Sequence, residues 1–342
     1  MHDLDMISVM SAFTPQRLHD LQGDPLSLLQ RWPGNRPVAM LRSATAVGSG
    51  PWARWSLIAE PAGRLCIGDR VTWHGPGAPP CPLPERADDP LAVLDQILKC
   101  TMPAPEHAPP TNGFPLPPGG WLGIFSYELG YAIEPASIGS IPRSESGQWP
   151  MIELLWCPAA LVHDAFDGSW WSIGGAEAPT GDLNASDHSG LMPPASTPVH
   201  TEYITQVQQV IDYIHAGDVF QVNLARRLRS QATLAPRALA VSAMQNANPR
   251  YGFYAELPGN ESEEDRAVLS LSPELFLQIE HASRRIITRP VKGTRPHSVP
   301  PEELAESSKD AAELHMIVDL MRNDLGRLCE PGTVDVVDGR LI

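Results

Sequence analysis

The sequence predicts a mixed α+β fold with an antiparallel run of strands. Three observations carry this. Ile204, Val207, Val210, Ile211 and Ile214 recur at helical spacing, and Gly217 follows them as a C-cap. Four β-prone runs, 251–255, 267–272, 275–279 and 285–288, then come in quick succession, the mark of an antiparallel run. In the first half, residues 36–75 read as short strands separated by turns.

Taken in order, Pro37-Val38-Ala39-Met40-Leu41 and Trp55-Ser56-Leu57-Ile58-Ala59 are the clearest early strands, the second closed by Glu60-Pro61. A helix is predicted over 90–99, with Leu91, Val93, Leu94 and Leu98 facing inward. The Pro-rich stretch 101–118 reads as an extended surface connection. Gly119-Gly120-Trp121-Leu122-Gly123 then opens an element in which the backbone turns or approaches another strand closely. Residues 176–198 are dense in Ala, Pro, Gly, Ser and Asp and poor in large apolar side chains, so they read as a linker. The expected organisation is an N-terminal domain over 1–175, the linker, and a second domain over 199–342. Beyond the helix that Gly217 ends, 219–224 reads as a strand, 236–244 as a helix with Pro236 in its first turn, and 308–321 as a last helix. No internal repeat is present.

Composition narrows the function. A chain of 342 residues, 42% hydrophobic and 19% charged, can bury a sizeable core. No apolar run is long enough to span a bilayer, and the first residues lack a basic and then apolar leader, so a cytoplasmic protein is expected. The five cysteines are far apart with no CxxC pair, which argues against a disulfide framework or a zinc site. A net charge of -15 disfavours nucleic acid and anionic membranes as partners. An anionic substrate would need positive charge concentrated locally.

Four stretches carry a resemblance. They are Ile214-His215-Ala216-Gly217-Asp218-Val219-Phe220-Gln221-Val222-Asn223-Leu224, Leu271-Ser272-Pro273-Glu274-Leu275-Phe276, Thr288-Arg289-Pro290-Val291-Lys292-Gly293-Thr294-Arg295-Pro296, and the run from Lys309-Asp310-Ala311-Ala312-Glu313 to Arg322-Asn323-Asp324-Leu325-Gly326-Arg327. In this order and spacing they resemble the chorismate-binding family, which includes the anthranilate, aminodeoxychorismate, isochorismate and salicylate synthases. The first half resembles the family more loosely, through Arg54-Trp55-Ser56-Leu57-Ile58-Ala59 and the glycines from Gly119 to Gly130. The fold so implied is that of anthranilate synthase component I, a mixed sheet sandwich with flanking helices, with its C-terminal part missing. Lys292 resembles the aminodeoxychorismate synthases, which carry lysine there where anthranilate synthases usually carry alanine.

The chemistry explains why the family needs these residue types. Chorismate is a cyclohexadiene with two carboxylates and a C4 hydroxyl. Replacing that hydroxyl by ammonia with retention is easiest as two displacements. The resemblance assigns the first nucleophile to Lys292, which must be neutral to act, although a free lysine titrates at about 10.4. Burial and nearby cations favour the neutral amine, and Arg284, Arg285, Arg289 and Arg295 flank Lys292 in sequence. Glu274 matches the acid that protonates the leaving hydroxyl. Glu313 matches a carboxylate ligand of Mg2+, which would neutralise the ring carboxylate. Gly293 and Thr294 match a loop that meets a substrate carboxylate. Read without the family, Lys292 is a solvated turn lysine and Glu274 a strand-end glutamate. Glu313 then joins Asp310 in a capping box.

The resemblance implies partners too: chorismate, ammonia, and a glutamine amidotransferase subunit, component II, to supply the ammonia. The family's chain continues past position 342 with a histidine, a glycine-rich loop and a second metal glutamate that this sequence does not show. The chain as written is therefore expected to be incomplete for activity and prone to aggregate. Where anthranilate synthases bind tryptophan through Leu-Leu-Glu-Ser, this sequence reads Met40-Leu41-Arg42-Ser43, and Asn248-Pro249-Arg250-Tyr251 matches the other wall in part. Two alternatives stand beside aminodeoxychorismate synthesis: anthranilate synthase component I, and an inactive remnant of the family. An isochorismate or salicylate synthase would need a water-activating lysine that cannot be placed.

Overall fold

The structure is a computed structural model and describes residues 15–43, 53–102, 119–134, 149–180, 195–259, 264–280, 283–296 and 298–337. Contacts divide the chain into two compact units, one within 1–25, 35–178 and 248–342, the other within 26–34 and 179–247.

The larger unit is a sandwich. Its seven-stranded sheet contains β1 (Gln16–Leu18), β2 (Ala39–Arg42), β3 (Trp55–Ala59), β8 (Ala160–Asp164), β9 (Trp170–Ile173), β12 (Tyr251–Leu257) and β13 (Arg266–Ser272), in the order β1-β9-β8-β3-β2-β12-β13. Every neighbouring pair is antiparallel. A four-stranded antiparallel sheet runs β5-β4-β7-β6, from β4 (Gly63–Ile67), β5 (Val71–His74), β6 (Gly120–Phe125) and β7 (Ile152–Cys157).

Strand periodicity sorts the side chains of β7 into two layers. Leu155 and Cys157 pack in one cluster with Ala39, Ala59, Val162, Ala255 and Leu257 of the seven-stranded sheet. Ile152 and Leu154 face the other way, into a cluster with Leu65, Ile67, Val93 and Ile97. Val93 and Ile97 belong to α2 (Pro90–Thr101), which starts on Asp89, whose carboxylate accepts from the backbone N–H groups of Leu91 and Ala92 at 2.9 and 3.1 Å. The helix is where the sequence places it, but its inward face differs. Pro90, Val93 and Ile97 are buried and Leu94 is partly so, while Leu91 and Leu98 are 38% and 37% exposed. The sheet contact is a narrow stripe at spacing four, and Leu91 and Leu98 lie at its margins.

Gly119 and β6 show why the chain is glycine-rich there. A Cβ at Gly119 would lie 2.7 Å from the Pro158 carbonyl oxygen, so only glycine admits the approach to the chain leaving β7. Short α3 (Leu129–Ile133) follows β6. The pairing of β2 with β12 unites strands from both sides of the 176–198 stretch in one sheet. Residues 103–118 and 181–194 lie outside the described residues.

β14 (Leu275–Glu280) and β15 (Arg285–Arg289) form a separate two-stranded antiparallel ladder, followed by α6 (Pro301–Glu306) and α7 (Ser308–Gly326).

The smaller unit holds α1 (Pro25–Arg31) from Leu26 onward, β10 (Ala195–Thr197) paired with β11 (Arg227–Arg229), α4 (His200–Ala216) and α5 (Pro236–Ala247). α5 buries Ala240, Val241 and Met244, and Arg237 donates from Nη1 to the carbonyls of Trp32 and Pro33 at 2.5 and 3.1 Å. α4 ends at Gly217 in the left-handed region, φ 81°, as its sequence predicts. Its apolar stripe is nonetheless exposed, Ile204 at 54% and Ile214 at 40%. The expected strand over 219–224 does not form. A strand needs a neighbour to take its N–H and C=O groups, and no described segment pairs with it.

Candidate functional site

β13 ends at Ser272 and reverses through Pro273-Glu274 into β14. Ser272 fastens that turn: its hydroxyl donates to the Glu274 carbonyl at 3.1 Å and accepts from the Glu274 N–H at 3.3 Å. The Glu274 side chain is exposed. In the β14–β15 ladder Leu275 faces Arg289. Glu274 just precedes that pair and Lys292 lies three residues beyond it, so the two leave the hairpin at the same end.

The segment 290–296 has no regular structure, and its anchor is α7. Gly293 has φ +85°, and a Cβ there would meet Leu304 Cδ1 at 2.5 Å and the Asp310 carboxylate at 3.2–3.3 Å. Arg295 Nη2 donates to Asp310 Oδ2 at 2.6 Å, and its Nε lies 3.9 Å from Glu303 Oε1. Ser307 is the N-cap of α7, its Oγ accepting from the Asp310 N–H at 3.2 Å. The Ser307 hydroxyl and the Arg295 guanidinium together hold the Asp310 carboxyl below the usual carboxylate range. Lys292 and Gly293 are half-buried; Thr294 is exposed.

Glu313 lies one turn beyond Asp310. It is not part of the cap, which belongs to Ser307 with Asp310 at the third helical position, so a box joining Asp310 to Glu313 is not what forms. Its side chain is 43% exposed and 3.9 Å from Lys309 Nζ. Met316 and Ile317 on the same face are half-buried, and Leu320 is exposed. Among the described residues no side-chain hydrogen bond joins Lys292 to Glu274 or Glu313. The arginines also separate. Arg284 and Arg285 sit at the turn end of the hairpin, about 13 Å along β15 from Arg289, while Arg289 and Arg295 lie at the Lys292 end.

For Mg2+, the donor set is one carboxylate. Among the described residues no group of three or more His, Cys, Asp or Glu side chains converges on a metal position. Glu313, accessible and single, fits an ion that takes its other ligands from substrate oxygens and water.

Sequence reasoning missed Arg295, Asp310 and Ser307 as a connected set. The signal was present as Ser307 followed three residues later by Asp310, a capping pattern ahead of an apolar run. Elsewhere, Met40-Leu41-Arg42-Ser43 and Asn248 do meet: Arg42 Nη2 donates to Asn248 Oδ1 at 3.1 Å, and Arg42 faces Gly252 across β2–β12. Among the described residues no helix is long and apolar enough to cross a membrane.

Antiparallel sandwich, trailing hairpin and long last helix define an α+β scaffold of the anthranilate synthase component I type. The structure is similar to that of anthranilate synthase component I from Streptococcus pneumoniae, with a TM-score of 0.55 at 20% identity, over 82% of this chain and 63% of that one. Residues 85–339 match the family model for chorismate binding enzymes, and the chain belongs to that family. It is 35% identical over 269 residues to aminodeoxychorismate synthase component 1 of Salmonella typhimurium, covering 73% of this chain and 55% of that protein. It is 33% identical over 305 residues to the protein of the same name from Klebsiella aerogenes, covering 82% and 61%. The chain thus spans little more than half the length of these relatives.

Proposed function

We propose that this chain is the chorismate-utilising part of a cytoplasmic aminodeoxychorismate synthase, forming 4-amino-4-deoxychorismate on the way to p-aminobenzoate and folate. The supporting observation is Lys292, carried on a loop that leaves the hairpin at the same end as Glu274 and is fastened to the helix bearing Glu313.

In this reading the Lys292 amine forms a bond to C2 of chorismate, the double bonds shift, and the C4–O bond breaks. Glu274 delivers a proton to the departing oxygen, which leaves as water. Ammonia then bonds to C4, the double bonds shift back, the Lys292 amine is expelled from C2, and the proton shed by the new ammonium group restores the Glu274 acid. Glu274 is exposed and hinged on a turn that Ser272 fixes, so its backbone is placed while its carboxyl can reach a substrate. Gly293 and Thr294 meet a substrate carboxylate, and Glu313 would hold Mg2+, which when bound neutralises the ring carboxylate. The ammonia comes from a glutamine amidotransferase partner, component II.

The test uses a longer version of the chain that also carries the segment following position 342 in the family's proteins, incubates it with chorismate, ammonium and Mg2+, and identifies the product by mass. Aminodeoxychorismate is expected, and Lys292→Ala should lower its formation at least about 100-fold, the scale of losing a covalent catalyst. Anthranilate as product, or full activity in Lys292→Ala, overturns the reading. Calorimetry adds a check independent of turnover, since chorismate should bind more tightly with Mg2+ than without, and an inert remnant of the family should bind neither way.

A further inference from the structure

We infer that Asp310, acting through Arg295, is a positioning residue that holds the Lys292 loop on helix α7 and thereby fixes the attacking amine relative to Glu313. This rests on the reading of Lys292 given above and extends it to residues that do not touch the reacting atoms. Three contacts converge on Asp310. Arg295, three residues after Lys292, donates to its carboxylate at 2.6 Å. Gly293, the residue after Lys292, lies so close that no side chain fits between it and Asp310 or Leu304. Ser307 holds the Asp310 backbone N–H, fixing the first turn of the helix.

Asp310 and Glu313 are three residues apart on one helix, a rise of about 4.5 Å along a rigid rod. Anything that fixes the loop to Asp310 therefore fixes it in the frame of Glu313. Loop 290–296 makes no strand pairing of its own, so these contacts set its position. The Arg295 fork can hold Asp310 while its Nε faces Glu303, a geometry lysine cannot copy. The ion pair is partly buried, with the Arg295 side chain 30% exposed and that of Asp310 12% exposed, so water still reaches and screens it from the Arg295 side.

The sequence offers a clean assay, because it contains three lysines, Lys99, Lys292 and Lys309. A lysine-specific endoproteinase acting on the native 342-residue chain then reports separately on the loop, on α2 and on α7. Asp310→Asn and Arg295→Gln are each expected to speed cleavage after Lys292 about tenfold, by raising the population of the opened loop, with cleavage after Lys99 unchanged. Asp310→Glu, whose longer carboxylate still reaches Arg295, should stay within about threefold of the parent chain. A merely structural role would instead open the Lys99 site together with the Lys292 site, and in Arg295→Gln, which leaves the Lys309-Asp310 bond unaltered, the Lys309 site as well. That outcome, or unchanged cleavage after Lys292 in Asp310→Asn and Arg295→Gln, overturns the inference. Should Asp310→Asn fail to fold, Arg295→Gln carries the test, since it leaves the helix cap intact. Cleavage does not depend on turnover, so a negative result here leaves the product test on Lys292→Ala standing, and the reverse also holds.

Discussion

Glu153 is 1% exposed, and it accepts from Arg64 of the neighbouring strand β4 at 2.5 Å and from Arg266 of the seven-stranded sheet at 2.9 Å. Its second oxygen is buried with no hydrogen-bond partner. Removing a charge from such a set strands the others, so Glu153→Ala should lower stability by about 3–5 kcal/mol in urea denaturation. Replacing Arg64 and Glu153 together by Met and Leu should recover most of that loss, because Arg266 stacks on Trp149 at 4.3 Å and can turn to solvent. A double variant as weak as Glu153→Ala would show that the ion pair itself supplies the stability. His163 offers a pH test. Burial pushes its imidazole below the ordinary value, against the opposing pull of Asp164, Asp24 and Asp167. Its folded state therefore prefers the neutral ring, so its contribution is complete above the unfolded pKa of about 6.5 and is lost as pH falls from there through the lowered folded value. His163→Gln should flatten the fall in denaturation midpoint between about pH 7.5 and about pH 5.5. An unchanged slope would assign that fall to other groups.

At the scale of elements, α7 and the loop before it make the sharpest prediction. Ser307→Ala should cost about 1 kcal/mol, the usual loss of an N-cap. Gly293→Ala should cost more, since φ +85° alone costs an L residue about 1–2 kcal/mol and the new methyl also meets Leu304. Adding Leu304→Ala should return the contact part and leave the backbone part, which denaturation of the two variants would separate. The same elements show what the sequence reveals and what it hides. β12 to β15, α5 and α7 are legible because their apolar periods are unbroken between turn residues. The run 219–224 has the same local pattern, but among the described residues no segment pairs with it, and pattern alone cannot supply a partner. β7, β8 and β9 escape reading for another reason. Glu153, His163, Asp164, Ser169 and Ser172 are buried polar groups there, so the alternation of apolar and polar residues that marks a half-buried strand is scrambled. The α4 stripe is legible as a helix face, yet its exposure is not, because periodicity says which residues share a face and not what covers it.

For the molecule as a whole, motif order singles out Lys292, Glu274 and Glu313 as candidates, while their mutual placement is not legible in it, since that depends on the β14–β15 register and on Arg295 reaching α7. Surface character follows from that placement too. The β14–β15 ladder has two strands, and β14 is exposed from Phe276 to Glu280, with Phe276 at 75% and Ile279 at 65%. A two-stranded ladder with one strand so exposed is marginal in water and invites association. Against this stands the net charge of -15, which keeps copies apart at low salt. Self-association of the chain should therefore strengthen as salt rises from about 0.01 to about 0.5 M and the screening length falls from about 30 Å to a few ångströms. Phe276→Ser with Ile279→Thr should weaken it about tenfold or more, because covering either side chain is worth about 1.5–3 kcal/mol. Sedimentation velocity at several concentrations measures both effects. If the double variant associates as strongly as the parent chain, the contact lies on another surface, such as the exposed face of α4.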